Sequence, residues 1–266
     1  MGGSAGASSG STGERPVLLC VGRHGVGAAT LRVATTRARR TGGVLRLLHV
    51  AETTTPMGLE EAQQCLDPVA EAARSLGGGA VRVEPVLAFG EVLDHVWGAA
   101  ATAALVVLER PAVVRLGGLR RRTSLTTALV EHLEAPVVVV PGLWPTARVA
   151  ADGLPPVWHG GREPRTVGVL LDEPAECRQV VGAGLESAAA LGGAVELLRG
   201  WEVGRAGVVA ASRGSSLLVV GRGGRAGGLS VSGRVALHES VCPVLVVPVP
   251  PAEEDLATVL PFRRAR

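Results

Sequence analysis

Short runs of branched aliphatic residues recur along the chain, each followed by a longer stretch in which apolar positions return every three or four residues. The runs "PVLLCV" (16–21), "VLRLLHV" (44–50), "AVRVEPVLA" (80–88), "ALVVLE" (104–109) and "PVVVV" (136–140) read as strands. Residues 26–40, 58–76, 91–101 and 123–134 read as helices, the first with Leu31, Ala34 and Ala38 on one face. Continuous Val/Leu runs, in place of alternating ones, predict strands buried on both sides. The expected class is therefore α/β, a parallel sheet wound on both faces by helices.

The pattern breaks at residues 141–165, where Pro and Gly crowd a stretch without sustained period. It then restarts. Strands are expected at 166–172, 194–201, 216–221 and 243–248, with helices at 175–191, 204–213 and 231–240. Laying "PVLLCVGRHGVGAATLRVATTRARRTGGVLRLLHVAE" over "TVGVLLDEPAECRQVVGAGLESAAALGGAVELLRGWE" keeps strand, helix, double glycine and strand in step, and "EAPVVVVP" matches "SVCPVLVVP". Two tandem units follow. Between Trp201 and Ser216 the second copy has room for one helix, where the first fits helix, strand and helix, so its sheet should lack a strand. The expected divisions are a Gly/Ser tail (1–14), a first domain (15–141), a linker (142–164), a shortened second domain (165–249) and a C-terminal tail (250–266).

Composition narrows the class. With 266 residues and 47% hydrophobic content the chain can bury a core. All basic residues are Arg, scattered among 24 acids to a net charge of +3, which is not the footprint of a nucleic-acid binder. Arg263, Arg264 and Arg266 read as a solvated end. Cys20, Cys65, Cys177 and Cys242 form no C-x-x-C pair and fit reduced core thiols of a cytoplasmic protein. No apolar run reaches the ~20 residues of a spanning helix, so no membrane partner is expected.

The strand ends carry a resemblance. "GVLLDEP", "SLLVVGRGG" and "VCPVLVVP" in the second half, with "AFGEVLDHVWGAAATAALVVLE" and "APVVVVP" in the first, resemble landmarks of the universal stress protein family, tandem type, over nearly all of residues 16–248. The resemblance implies a doubly wound, adenine nucleotide alpha hydrolase-like fold and a stress-response role. It also implies adenine nucleotide binding, ATP with Mg2+ being the expected ligand. In nucleotide-binding members an aspartate after the first strand contacts the adenine and ribose end, and a G-x2-G-x9-G-[ST] loop wraps the phosphates. Glycines let backbone N–H groups approach phosphate, and the following helix points its positive end at the charge. Carried over, these roles fall on Asp172, Gly221 and Gly224. Ser230 or Ser232 supplies the hydroxyl of a loop four residues shorter, and Glu173 replaces a family glycine. In the first half Gly22 takes the aspartate's place, Leu108 and Pro111 stand for the loop glycines, and Thr123-Ser124 follow a longer loop whose Arg120, Arg121 and Arg122 read as solvated, the alternative being an anion-contacting lip beside a helix N-terminus capped by Thr123 or Ser124. No conventional nucleotide site is expected there.

Other candidates read more plainly. "GRHGVG" (22–27) is not G-x-G-x-x-G and has no acid at a second strand's end ~20 residues on, so it is a tight turn with His24 at the surface. The pairs Glu131-His132 and His238-Glu239 read as solvated helix faces, and Asp94-His95 as local charge balance. No metal constellation or nucleophile elbow emerges. Trp144 and Trp158 in the linker are expected to dock within the chain. With no dedicated base beyond Asp172, the expectation is a binding protein with at most weak ATP hydrolysis. The alternative is a scaffold without ligand that acts through protein partners and pairs its sheets through "PVVVVP" and "PVLVVP", within one chain or as a homodimer.

Overall fold

The computed structural model describes residues 15–51, 53–110, 125–142, 165–172, 177–223 and 228–250. The first half contains β1 (Val17–Val21), α1 (Ala28–Arg40), β2 (Val44–Ala51), α2 (Pro56–Gly77), β3 (Arg82–Phe89), α3 (Val92–Ala100), β4 (Leu105–Arg110), α4 (Leu125–His132) and β5 (Val137–Pro141). The second contains β6 (Thr166–Leu171), α5 (Cys177–Leu191), β7 (Ala194–Arg199), α6 (Gly200–Gly214), β8 (Leu217–Gly223), β9 (Gly228–Leu229), α7 (Val231–Glu239) and β10 (Val244–Val249). Local chemistry sets several of these limits. Thr55 caps α2 by accepting from the Gly58 N–H at 3.2 Å, Pro56 occupies the first turn, and Gly78 closes the helix at φ 56°.

All ten strands join one sheet, ordered β3-β2-β1-β4-β5-β10-β8-β6-β7, with β9 beside β8. Within each half the main strands are parallel; β5 and β10 meet antiparallel, pairing Val139 with Val244, Val138 with Leu245 and Val137 with Val246. The two "PV" strands expected to pair domain to domain thus do so within the chain, about a pseudo-two-fold axis through Val138 and Leu245. One apolar layer lies between the sheet and α1, α2 and α5, the other between the sheet and α3, α4, α6 and α7.

Register makes the repeat explicit. Val17 lies beside Leu45 and Leu105 in the first half, and Val167 beside Val195 and Leu217 in the second. The strand missing from the second copy is the counterpart of β3, along with the helix α2 that leads to it. Two expectations change. The strand expected through Trp201 stops at Arg199, because α6 starts at once at Gly200 and kinks at Gly204 (φ 56°). The two-residue β9, too short to leave a period, folds back on β8 at Arg222 and Gly223.

Polar contacts across the pseudo-axis are reciprocal. Arg110, at the end of β4, donates to the carbonyls of Leu237 (2.6 Å) and Ser240 (2.5 Å) at the C-terminus of α7. Arg222, at the matching place in β8, donates to Glu131 O (2.8 Å) and to Leu133 O at the C-terminus of α4. Each guanidinium supplies donors and positive charge to the end of a helix in the other half, where carbonyls lack partners and the macrodipole is negative. On the opposite face Arg40 of α1 donates to Ala190 O of α5 at 2.6 Å.

Candidate functional site

In the second half the chain leaves β6 for β7 on one side and returns to β8 on the other. Open α/β sheets bind ligands where the strand order reverses in this way, outside the carboxyl ends of the strands. Asp172 follows the last residue of β6, and Gly221 follows Val220, which lies beside Leu170. The third wall is the start of α7. Ser230 is its N-cap and accepts from the Gly233 N–H at 2.9 Å. The hydroxyls of Ser230 and Ser232 each donate to a different oxygen of the Asp172 carboxylate. Four residues anticipated from the sequence, Asp172, Gly221, Ser230 and Ser232, therefore converge; Gly224 and Glu173 lie outside the described residues.

Sequence reasoning missed Gly200. A Cβ there would strike Asp172 Oδ1 and Ser232 Oγ, so only glycine lets the start of α6 close on the carboxylate. Its one signal was its place, directly after the strand that follows the aspartate's own. Chemically the cluster is an acceptor: a half-buried carboxylate whose two oxygens each take a serine hydroxyl. Beside it the first turn of α7 offers N–H groups and a positive dipole end, which attract anions.

The first half builds the same crevice and fills it. Val106 N–H donates to Pro136 O at 2.9 Å as Leu218 N–H donates to Pro243 O at 3.0 Å, so the residue matching Gly221 is Glu109, one place beyond the Leu108 expected from alignment. The Glu109 carboxylate accepts from the N–H of Gly27, the N-cap of α1, at 2.6 Å. An internal anion thus occupies the N-terminus of α1 from the position that matches Gly221, while Gly22 stands where Asp172 stands in the other half. Thr123, Ser124, Pro111 and Arg120 to Arg122 lie outside the described residues.

No family model and no curated protein matches this sequence. Solved structures do. A putative universal stress protein from Pseudomonas aeruginosa UCBPP-PA14 superposes with a TM-score of 0.54 at 14% identity, covering 88% of this chain and 93% of that one. A functionally unknown protein from Pseudomonas aeruginosa PAO1 gives a TM-score of 0.54 at 12% identity, covering 88% and 92%. This is the universal stress protein fold. A universal stress protein from Archaeoglobus fulgidus solved in complex with dAMP is also similar, with a TM-score of 0.38 at 21% identity over 47% of this chain and 95% of that one.

Within the universal stress protein fold the remaining candidates find local roles. "GRHG" is a turn closed by Gly25 N–H to Gly22 O at 2.9 Å, with Gly25 at φ 77° and His24 at the surface. His95 lies 2.7 Å from Phe89 O at half-buried depth and braces the turn at Gly90. The helix pairs read as solvated are in part an interface: Glu131 pairs with Arg234 at 3.3 Å, and His238 Nε2 lies 3.3 Å from Thr127 Oγ1. Two amphipathic helices from different halves meet there, which no single-helix pattern reveals. Burial pushes the Cys20 and Cys242 thiols up to about 12, so both stay protonated. Among the described residues no group of three or more His, Cys, Asp or Glu is placed to hold a metal ion. Trp144 and Trp158 lie outside the described residues.

Proposed function

We propose that this chain is a stress-response protein of the universal stress protein family, built as a tandem pair, that binds an adenine nucleotide through its second half. Asp172 receives the ribose hydroxyls, which replace those of Ser230 and Ser232 as donors. The freed serines and the first turn of α7 then face the phosphates, and the segment containing Gly224 completes the enclosure. The observation that carries this reading is the Asp172 carboxylate held at the strand-order reversal beside a serine-capped helix N-terminus. Mg-ATP is the form proposed, with binding rather than turnover as the role. Protonated thiols suit a reducing, cytoplasmic setting.

Calorimetric titration with Mg-ATP and with AMP tests the reading, on wild type and on Asp172→Asn, which keeps shape but loses the charged acceptor. Saturable binding is expected in the wild type, weakened about tenfold or more by the substitution. A folded wild-type protein that takes up neither nucleotide at millimolar concentration refutes it. The second reading, a scaffold acting through protein partners, draws support from two observations. Both serine hydroxyls are already committed to Asp172, and β5 and β10 join the halves without any ligand. Absence of binding, with the halves still unfolding together, is what that reading expects.

A further inference from the structure

The two halves bury the same positions differently. Leu47 of β2 is 0% exposed, and its counterpart Leu197 of β7 is 58% exposed; Thr35 of α1 is 2% exposed, and its counterpart Leu185 of α5 is 56% exposed. In the first half α2 covers this face with Leu66, Val69, Ala70 and Ala73. The second copy lacks that helix, yet carries a larger apolar side chain at the α5 position than the first half does. Leu191 adds a further 41% exposed side chain at the end of α5. Apolar residues at positions that the first half buries stand uncovered among the described residues. The two edges of the sheet also differ. On β3, Pro85 withholds a backbone donor at mid-strand, whereas β7 contains no proline.

We infer that the C-terminal segment 251–266 supplies the missing cover, docking Leu256, Val259, Leu260 and Phe262 on the α5/β7 face. The chain reaches the right place. β10, β8, β6 and β7 are mutually parallel, so β10 delivers Pro250 to the carboxyl end of β7, the counterpart in this half of the end at which β2 delivers the chain into α2. Three strand spacings from β10 to β7 amount to about 14 Å. Residues 251 to 255, extended, span about 17 Å, which brings Leu256 to the edge of the bare face. Spacing supports it as well: Leu256, Val259 and Leu260 stand at i, i+3 and i+4, the period by which α2 presents its own apolar side. Charge matches the direction of travel. Glu253, Glu254 and Asp255 arrive at the end where Arg178 and Arg199 are exposed, and Arg263 to Arg266 follow toward Glu186. The arginine-rich end, read from composition as merely solvated, thereby becomes the outer flank of a docked segment.

Hydrogen exchange of the full-length protein tests this, with wild type compared to L256E/L260E, to Leu197→Glu and to all three substitutions together; sedimentation velocity runs beside it. The expected result is a monomer in which the tail pair accelerates exchange in α5 and β7 about tenfold. Exchange in α1 and β2 does not change. Leu197→Glu gives the same acceleration, and the triple variant adds nothing to it, because both changes break one contact. Exchange in α5 and β7 that is indifferent to the tail pair overturns the inference. So does a dimer that Leu197→Glu dissociates and the tail pair does not, which would assign the face to a second copy of the chain.

Discussion

Replacing Arg222 by Met tests whether the halves are held by their reciprocal arginines or by the β5–β10 pairing alone. Methionine keeps the unbranched apolar stem and removes the guanidinium, so the loss isolates the bonds to Glu131 O and Leu133 O. A hydrogen bond from a charged donor contributes about 1.5–3 kcal/mol in a desolvated site. Arg222 is half-buried, and its guanidinium pKa is drawn below its ordinary value, chiefly by desolvation. Water can reach part of this site and solvate the abandoned carbonyls, so each bond falls below that range to about 1 kcal/mol, or about 2 kcal/mol for the pair. That is roughly a 30-fold change in the unfolding equilibrium. Arg110→Met should cost a similar amount, since it serves α7 as Arg222 serves α4. The two arginines share no partner, so the double variant should lose about 4 kcal/mol in total. Urea unfolding followed by circular dichroism reads these values, the midpoint moving at constant slope in the single variants. Losses below about 0.5 kcal/mol for either arginine would refute the argument, since that is the scale of an ordinary exposed contact.

Three further outcomes follow from other parts of the structure. Gly200→Ala places a methyl group against Asp172 Oδ1 and Ser232 Oγ, and should lower the thermal midpoint by several degrees while abolishing nucleotide uptake in the same titration; an unperturbed midpoint would show the approach is not close. Glu109→Ala removes the acceptor of the Gly27 N–H, and a loss of about 1 kcal/mol in urea is expected, with Glu109→Gln recovering most of it. Burial first, then Arg110 and Arg234, hold the His238 pKa below 6.5, against the opposing pull of Glu239 and Glu131. A depressed histidine pKa means the neutral form is favoured in the fold, so its contribution is complete above about pH 6.5 and is lost as pH falls through the lower folded value. Melting curves between about pH 7.5 and 5 should therefore fall more steeply for the wild type than for His238→Gln, and parallel curves would dismiss the effect.

The strands were legible because buried parallel strands are continuous Val/Leu runs, and "PVLLCV", "ALVVLE" and "SLLVVG" have no competing period. Matching spacing in the two halves anticipated one strand fewer in the second, where no counterpart of β3 stands between β7 and β8. Legibility stopped where meaning depends on partners distant in sequence. Glu109 looked like a strand-end acid and is the internal occupant of a helix N-terminus 82 residues away. Gly200 looked like the next-to-last residue of a strand and is the space that Asp172 needs. Ser230 and Ser232 were named as phosphate ligands in waiting; that they bond to Asp172 itself requires β6 and α7 to be placed side by side, which spacing alone does not give. Arg110 and Arg222 occupy matching positions in both copies, a signal visible in "LER" and "VGR", but its use becomes apparent only across the antiparallel seam.

The asymmetry between the halves then has one physical logic. The first half carries the complete cover, five strands and an α2 that buries Leu47, and it closes its own crevice with a carboxylate on the α1 N-terminus. The second half gives up β3 and α2, keeps the crevice free of a glutamate at position 221, and retains the aspartate and the serine-capped helix. A small unit with Leu185 and Leu197 bared would be marginal alone, because stability in short domains falls with the fraction of surface they can bury. It is carried by its neighbour. Arg110 and Arg40 reach from the first half to the backbone carbonyls of α7 and α5, so two of the second half's helices lean on the more complete copy. The same arrangement makes the crevice responsive, since α7 is at once the wall behind Asp172 and the helix that Arg110 holds at its other end. Whatever displaces Ser230 and Ser232 from the carboxylate pulls on a helix anchored in the first half. Occupancy at Asp172 should therefore be felt across the seam, as a change in the environment of Thr127 and Glu131 on α4, before any change reaches the distant strands β2 and β3.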